Sequence, residues 1–318
     1  MECGGLRHAI VTGNITPLVA FACAAVSWFV GSEKTPDRYL WWGGFGTTVL
    51  TAYLLLEFNN RYSLLRIRSH MVAAVFLAMA AAMTFGQTLS WNWLPPVCLL
   101  LAYYSIFLSY QKYHAQGYAF HAFAFLGLGS LVFPQMLYFV PLFLLFMLVQ
   151  LRSMSGKAFV AAFLGTAVPI AMREACLLLS GANARIDEFW VALCTFPRPD
   201  YSAIGEQQAV SAAFVIVVSA LAMVHFMRTR FNDKIRTRMF FYVIMIEETA
   251  LMAFIALQPQ LFDVLFKLLL VNSCILVAHH LSFARNIAAD VYFYTLLAVL
   301  GFLAFYNFTG HDFGIWQN

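Results

Sequence analysis

Two apolar runs joined by a three-residue turn decide the fold of this chain: Met239–Leu257, MFFYVIMIEETALMAFIAL, and Leu261–His279, LFDVLFKLLLVNSCILVAH. Each run has about 20 residues, the length at which an α-helix crosses a bilayer. The turn between them contains Pro259, a helix-breaking residue. The two runs therefore predict a helical hairpin within a membrane.

The whole chain has the composition of a membrane protein. Hydrophobic residues make up 62% of the 318 positions and charged residues 11%, and the mean hydropathy is +0.76. A soluble domain is nearer to half apolar and a quarter charged. This composition excludes a water-soluble enzyme and a disordered chain. We expect an all-α, polytopic transmembrane protein that forms a single integral membrane domain over residues 1–318.

Similar apolar runs recur along the sequence and predict about eleven spans, within a range of about ten to twelve. They cover residues 15–30, 39–56, 71–86, 93–110, 118–133, 136–150, 158–179, 207–226, 239–257, 261–279 and 289–307. The runs at 118–133 and 136–150 are short and flank Pro134, so they predict a tight hairpin whose full crossing is left open. The first run is interpreted as a span because it lacks the charged start and the cleavage site of a secretory signal.

Charge and tryptophan placement predict an inside N-terminus. In this orientation most of the 19 Lys and Arg lie on inner segments, most acidic residues lie on outer segments, and all seven Trp lie at the outer interface. Basic loops favour the cytoplasm, and indole rings favour the membrane interface. The sequence therefore predicts a bacterial inner-membrane protein with cytoplasmic basic loops and an outer C-terminus.

Two loops carry additional expectations. The longest outer loop, 181–206, contains acidic and apolar residues at Ile186–Leu193 that suit a helix lying in the interface. The inner loop 228–238 is rich in Arg and Lys, and anionic lipid headgroups are its expected partners. Because this loop is a short connection between spans, it does not predict nucleic-acid binding.

Charged residues inside spans are candidate functional residues, because charge is costly at membrane depth. Glu247 and Glu248 lie near the middle of the first run of the hairpin, and Asp263 and Lys267 lie in the second. The backbones of Glu248 and Lys267 would differ in depth by roughly 4.5 Å, an offset that a lysine side chain can cover. Asp263 and Lys267 are i,i+4 neighbours. The group is interpreted either as a structural ion pair or as a site for a proton, an ion or a polar headgroup.

Further candidates lie at the outer interface. Arg173 follows Pro169, which can open its helix, and it is expected either to receive a lipid phosphate or to extend to the interface as an ordinary amphipathic side chain. Glu33 and Asp37 lie in the first outer loop, where a carboxylate can act as a general base or be simply solvated.

Histidine is a candidate iron ligand, because neutral imidazole binds iron well. Six histidines fall near the inner interface: His70, His114, His121, His225, His279 and His280. Their spacing does not reproduce the repeated histidine boxes of membrane hydroxylases and desaturases. The sequence therefore predicts no metal ligands and no cofactor, and an iron oxygenase remains the last of the alternatives.

The central part of the chain has a layout seen in known families. A span over Cys98–Tyr110 is followed by a polar connector, a short hairpin around Phe125–Pro134, a basic connector at Arg152–Lys157 and a span with a late Pro169. This layout resembles an uncharacterised family of polytopic inner-membrane proteins of the Bacteroidota. It is more distantly similar to the C-type membrane glycosyltransferases.

The second resemblance implies a polyprenyl-phosphate sugar donor and a catalytic acid in the first outer loop. The positions that match this acid are Glu33 and Asp37. The loop here is about eight residues long, shorter than is usual in that family, and the large outer domain of many members is absent from the sequence.

Four classes of function are therefore expected. The first is a non-catalytic membrane subunit or scaffold of a cell-envelope complex, with membrane lipids and other membrane subunits as partners. The alternatives are a transferase acting on a polyprenyl-phosphate-linked sugar, a transporter or channel with an intramembrane Glu/Lys site, and a non-haem iron oxygenase.

Overall fold

The computed structural model describes residues 13, 15–32, 37–65, 69–181, 184–283 and 287–309, and within these ranges the chain is all-α, with no strand. Its helices are α1 (Thr16–Ser32), α2 (Arg38–Tyr62), α3 (Met71–Ala82), α4 (Leu94–Phe107), α5 (Gln116–Ser130), α6 (Phe139–Val149), α7 (Gly156–Leu179), α8 (Ala184–Cys194), α9 (Glu206–Thr229), α10 (Ile235–Leu257), α11 (Phe262–Phe283) and α12 (Ile287–Thr309). Short 3-10 turns occur at Thr84–Gly86, Trp91–Trp93, Pro134–Tyr138, Tyr201–Ala203, Arg230–Asn232 and Pro259–Leu261.

Among the described residues, five helices are long and apolar enough to cross a membrane. They are Gly156–Leu179, Glu206–Asn232, Ile235–Leu257, Pro259–Phe283 and Asp290–Thr309. Shorter apolar helices lie at Thr16–Ser32, Met71–Ala82 and Pro134–Val149. The all-α class is confirmed, and the apolar helices are consistent with a membrane protein, whereas the number of spans and the inside N-terminus stay predictions.

Packing divides the chain into two compact units. The described residues of Met1–Ser90, Tyr201–Asp233 and Leu269–Asn318 form unit 1. Those of Trp91–Asp200 and Lys234–Leu268 form unit 2. The two predicted runs are present as α10 and α11, joined by the turn at Pro259–Leu261, and the division between the units falls within α11.

In unit 1 the alanine-rich helix α3 is almost wholly buried and packs against α1, α2 and α12. Buried polar groups fix this packing, as expected where no water can replace a lost hydrogen bond. The Asn307 amide donates to the Ala82 carbonyl at 2.8 Å and to the Ser211 hydroxyl at 3.1 Å. The Trp41 indole donates to the Trp28 carbonyl at 2.7 Å.

In unit 2, helix α5 packs against α4 on one side and α7 on the other. The buried residues of α7 are all small or compact and recur with helical spacing: Ala158, Ala162, Gly165 and Pro169. A Cβ on Gly165 would lie 2.4 Å from the Phe120 carbonyl oxygen, and one on Gly127 would lie 2.7 Å from the Thr166 carbonyl oxygen. Small residues of this kind let two membrane helices approach backbone to backbone.

Candidate functional site

Unit 2 contains an apolar cavity of about 530 Å³, formed by α5, α6, α7 and α8. Its wall is made mainly of aromatic and aliphatic side chains, including Phe123, Val140, Leu144, Phe163, Ile170 and Trp190. Phe163 is 70% exposed, so the cavity opens at the uncovered face of α7. In a membrane-spanning helix, this face is accessible to lipid.

The local sequence explains why α7 bears a cavity. The narrow stripe of small residues on α7 packs against α5. The neighbouring face of α7 presents Thr166, Ala167 and Ala171 to the cavity. These short side chains leave space that longer ones would fill. Pro141, near the start of α6, forms part of the opposite wall.

A charged pair lies at one end of the cavity. Arg173 Nη1 and Glu174 Oε1 are 2.7 Å apart, and Arg173 Nη2 donates to the Arg185 carbonyl at 2.9 Å. The guanidinium also lies 4.8 Å from the centre of the Phe189 ring. Glu174 lines the cavity, and its second oxygen, Oε2, is buried without a hydrogen-bond partner among the described residues.

Helix α8 covers this end of unit 2 and is held there by side chains of the 3-10 turn Pro134–Tyr138, which precedes α6. The Gln135 amide donates to the Ala192 carbonyl at 3.1 Å, and the Tyr138 hydroxyl donates to the Leu193 carbonyl. Trp190 of α8 forms part of the cavity wall. The position of α8 in the membrane interface stays a prediction.

The segment after α8 is fixed to the turn between α10 and α11. The Gln258 amide donates to the Pro197 carbonyl at 3.0 Å, and the Gln260 amide donates to the Arg198 carbonyl at 2.6 Å. Phe196, between these anchors and α8, lines a second groove of about 550 Å³ beside α6 and α10. Both ends of the 184–198 segment are therefore attached to other elements of unit 2.

Arg173 is thus the predicted site residue whose ion-pair partner, Glu174, lines the cavity. Its guanidinium is engaged by protein groups, and its role in binding a lipid phosphate stays a prediction. Sequence reasoning gave no role to its neighbour Glu174 and placed Trp190 only at an interface. Two features of the apolar run 158–179 indicate such a site: its small residues, and the adjacent Arg173 and Glu174 near its end.

Asp37, one of the two predicted acids of the first outer loop, does not line this cavity. Asp37 is exposed and immediately precedes α2, where its carbonyl accepts from the Trp41 amide at 3.1 Å. It belongs to unit 1. Glu33 lies outside the described residues.

Glu247 and Glu248 occupy the middle of α10 and are both 0% exposed. Tyr103 of α4, also fully buried, interacts electrostatically with both carboxyl groups. Neither oxygen of Glu247 has a hydrogen-bond partner in the described part of the chain. Neither cavity described above is lined by these two acids, and their predicted role as a functional site stays a prediction.

Lys267 is 7% exposed on α11, and its ammonium lies 5.2 Å from the centre of the Trp93 ring, in the range of a cation–π contact. Asp263, one turn earlier on the same helix, is exposed and interacts electrostatically with Lys267. The proposed Glu248–Lys267 pair stays a prediction.

Three of the six histidines that the sequence predicts near the inner interface come together in unit 1. The rings of His225 and His280 stack at 4.4 Å, and His279 Nε2 lies 3.3 Å from Asp233 Oδ2. Within the described residues, no three or more His, Cys, Asp or Glu side chains are arranged to hold a metal ion.

Comparison of this chain with protein-family models, curated proteins and solved structures finds no match. The two family resemblances inferred from the layout of the sequence stay predictions.

Proposed function

We propose that this protein binds one membrane lipid, with the hydrocarbon chain in the cavity of unit 2 and the head beside Arg173 and Glu174. The observation that carries the proposal is an apolar cavity of about 530 Å³ with a single charged pair at its end. Small-molecule sites have volumes of roughly 300–1,000 Å³ and combine apolar walls with a few polar groups that fix orientation.

The position of the cavity favours a lipid over a soluble ligand. Helix α7 is the least covered of the five candidate spans, because only 17% of its most apolar stretch is buried inside the protein. Lipid chains are as apolar as the cavity wall, so burial alone does not hold a lipid there. Shape and the polar groups at the end of the cavity must select the bound molecule.

We further propose the topology that the charge pattern predicts, with about eleven spans, an inside N-terminus and cytoplasmic basic loops in a bacterial inner membrane. This topology places α8 and the Arg173–Glu174 pair at the outer interface, where a lipid head is found. Labelling of single cysteines introduced at Lys157 and Arg185 with a membrane-impermeant maleimide, in a cysteine-free background, tests it. Labelling at position 185 alone in intact cells supports the topology, and labelling at position 157 alone contradicts it.

Lipid binding is compatible with the broader proposal of a membrane subunit in a cell-envelope complex. Among the alternatives, the lipid-linked transferase is the class whose substrate is itself a lipid, and the cavity favours it for that reason. Its chemistry still depends on Glu33 or Asp37, and the transporter and the iron oxygenase stay predictions.

Native mass spectrometry of protein extracted from membranes in a mild detergent tests lipid binding. We expect one lipid per chain in the wild type and loss of that lipid in Ala167→Phe, whose new ring occupies the cavity. Ala175→Phe is the matched control, because Ala175 is exposed on the same helix outside the cavity wall. Equal lipid retention by all three proteins would contradict the proposal.

A further inference from the structure

Glu247 lies on a buried, apolar face of α10. Side chains one or two turns away on this face are hydrophobic and 0% exposed: Phe240, Val243, Ile244 and Leu251. The Glu247 side chain is also 0% exposed, and neither of its oxygens has a hydrogen-bond partner among the described residues. An isolated carboxylate is far more costly to bury than the neutral acid, because the charge loses its hydration.

The described groups that interact electrostatically with Glu247 bring no positive charge to it. Glu248, the next residue, is also 0% exposed and interacts with Glu247. Tyr103 of α4 interacts with both carboxyl groups, and a phenol is either neutral or an anion. On α11, the ammonium of Lys267 interacts with Asp263. Two adjacent buried carboxylates are unfavourable when both are ionised, because like charges repel most strongly where the dielectric constant is low.

A ligand for this carboxyl group must be small as well as positive. Both oxygens are buried, and neither cavity described above is lined by Glu247. The side chains of the described residues also form no metal-binding group of three or more His, Cys, Asp or Glu. A proton forms an O–H bond with one carboxylate oxygen and adds no heavy atom, so it needs no cavity.

We propose that Glu247 is a proton-binding site, at which the carboxylate takes up one proton and is a neutral carboxylic acid in the folded protein at neutral pH. Glu248, which takes part in further interactions, is the member of the pair that stays ionised. The neutral acid still buries polar atoms, so protonation lowers the cost of burial without abolishing it.

This assignment gives the transporter alternative a specified ion and does not depend on the lipid site. Acids within membrane spans form proton relays in pumps and transporters.

Infrared spectroscopy of the full-length protein in dodecyl maltoside, a detergent without carbonyl groups, tests for the proton. The C=O stretch of a protonated carboxylic acid lies at a higher frequency than the amide I band, and exposed carboxylates are ionised at pH 7 and do not absorb there. We expect this band in the wild type at pH 7 and its loss in Glu247→Gln. Glu248→Gln is the matched control, because the adjacent residue undergoes the same chemical change and the band should remain.

A wild type without the band, or a band that Glu247→Gln keeps, overturns the proposal. A band lost in both variants shows that the two carboxyl groups share the proton, and it overturns the assignment to Glu247 alone. If a variant does not fold, the wild type is produced with glutamate isotope-labelled at its side-chain carboxyl carbon. The band should then move to lower frequency, and a band that does not move belongs to another group and contradicts the proposal.

Discussion

Substituting Gly165 by alanine should force α7 away from α5. The new Cβ would lie 2.4 Å from the Phe120 carbonyl oxygen and 3.1 Å from the Ala124 amide nitrogen, whereas ordinary contact begins at 3.4 Å. Both obstructing atoms belong to the backbone, so no side-chain rotation relieves the clash. One helix must shift by about 1 Å against close-packed neighbours.

The magnitude follows from two opposing contributions. Overpacking a close contact costs up to about 3 kcal/mol. Replacing glycine by alanine within a helix returns about 1 kcal/mol. We therefore expect Gly165→Ala to lower the free energy of unfolding by about 2 kcal/mol, measured by SDS titration with circular dichroism.

The same two helices provide matched controls. A Cβ on Gly156 of α7 or on Gly117 of α5 would meet nothing within 4 Å. Gly156→Ala and Gly117→Ala should therefore stay within about 0.5 kcal/mol of the wild type or gain slightly. If Gly165→Ala has the same free energy of unfolding as these controls, the close backbone approach of α5 and α7 is refuted.

Three further outcomes follow from the buried polar groups and the anchored segment. Glu247→Leu should raise the free energy of unfolding by about 1–3 kcal/mol, because it removes a buried acceptor without a donor; Glu248→Leu is the comparison, and destabilisation by Glu247→Leu would indicate that this carboxyl has a ligand. The double substitution Gln258→Ala and Gln260→Ala should release the 195–198 segment, seen as faster cleavage there in limited proteolysis, and an unchanged cleavage rate would contradict the anchoring role. Asn307→Leu should lower the free energy of unfolding by about 2 kcal/mol in the same SDS titration, because it leaves the Ala82 carbonyl without its donor, and a neutral effect would contradict that contact.

The helices were predictable because membrane helices satisfy their hydrogen bonds within one continuous run of chain. Met239–Leu257 lies within α10, and the turn at Pro259 separates it from α11 as predicted. The runs at 118–133 and 136–150 correspond to α5 and α6, which are indeed short. Whether these helices cross the bilayer depends on a membrane position that helix bounds alone do not fix.

The site was less predictable, because it depends on contacts between residues distant in sequence. The charge of Arg173 near the end of an apolar run indicates a candidate site, but its partners include the Arg185 carbonyl and the Phe189 ring of another helix. The position of Glu174 beside the cavity and its contact with Arg173 depend on helix packing, which nothing in the sequence indicates. The membrane depths of Glu248 and Lys267, counted in residues from the turn, give no indication of Trp93. This residue lies in a third segment and contacts Lys267.

Helix lengths in unit 2 account for the cavity. Helix α7 has 24 residues and is about 36 Å long at 1.5 Å per residue, whereas the apolar helix Pro134–Val149 that contains α6 is about 24 Å long. The shorter helix cannot cover the full face that the longer one presents beside α5. Trp190 of α8 fills part of the remaining space from one end, and the rest opens at Phe163.

The close packing of α5 on α7 prevents α5 from compensating for this difference in helix length. Gly127 and Gly165 bring the two backbones together along the small-residue stripe, so α5 does not turn to cover the neighbouring face of α7. A lipid chain can fill that face, because it supplies the apolar contacts that a longer α6 would otherwise make. The residues that stabilise unit 2 therefore also shape its cavity, and if the cavity binds the proposed lipid, Gly165→Ala should reduce lipid retention in native mass spectrometry as well as stability.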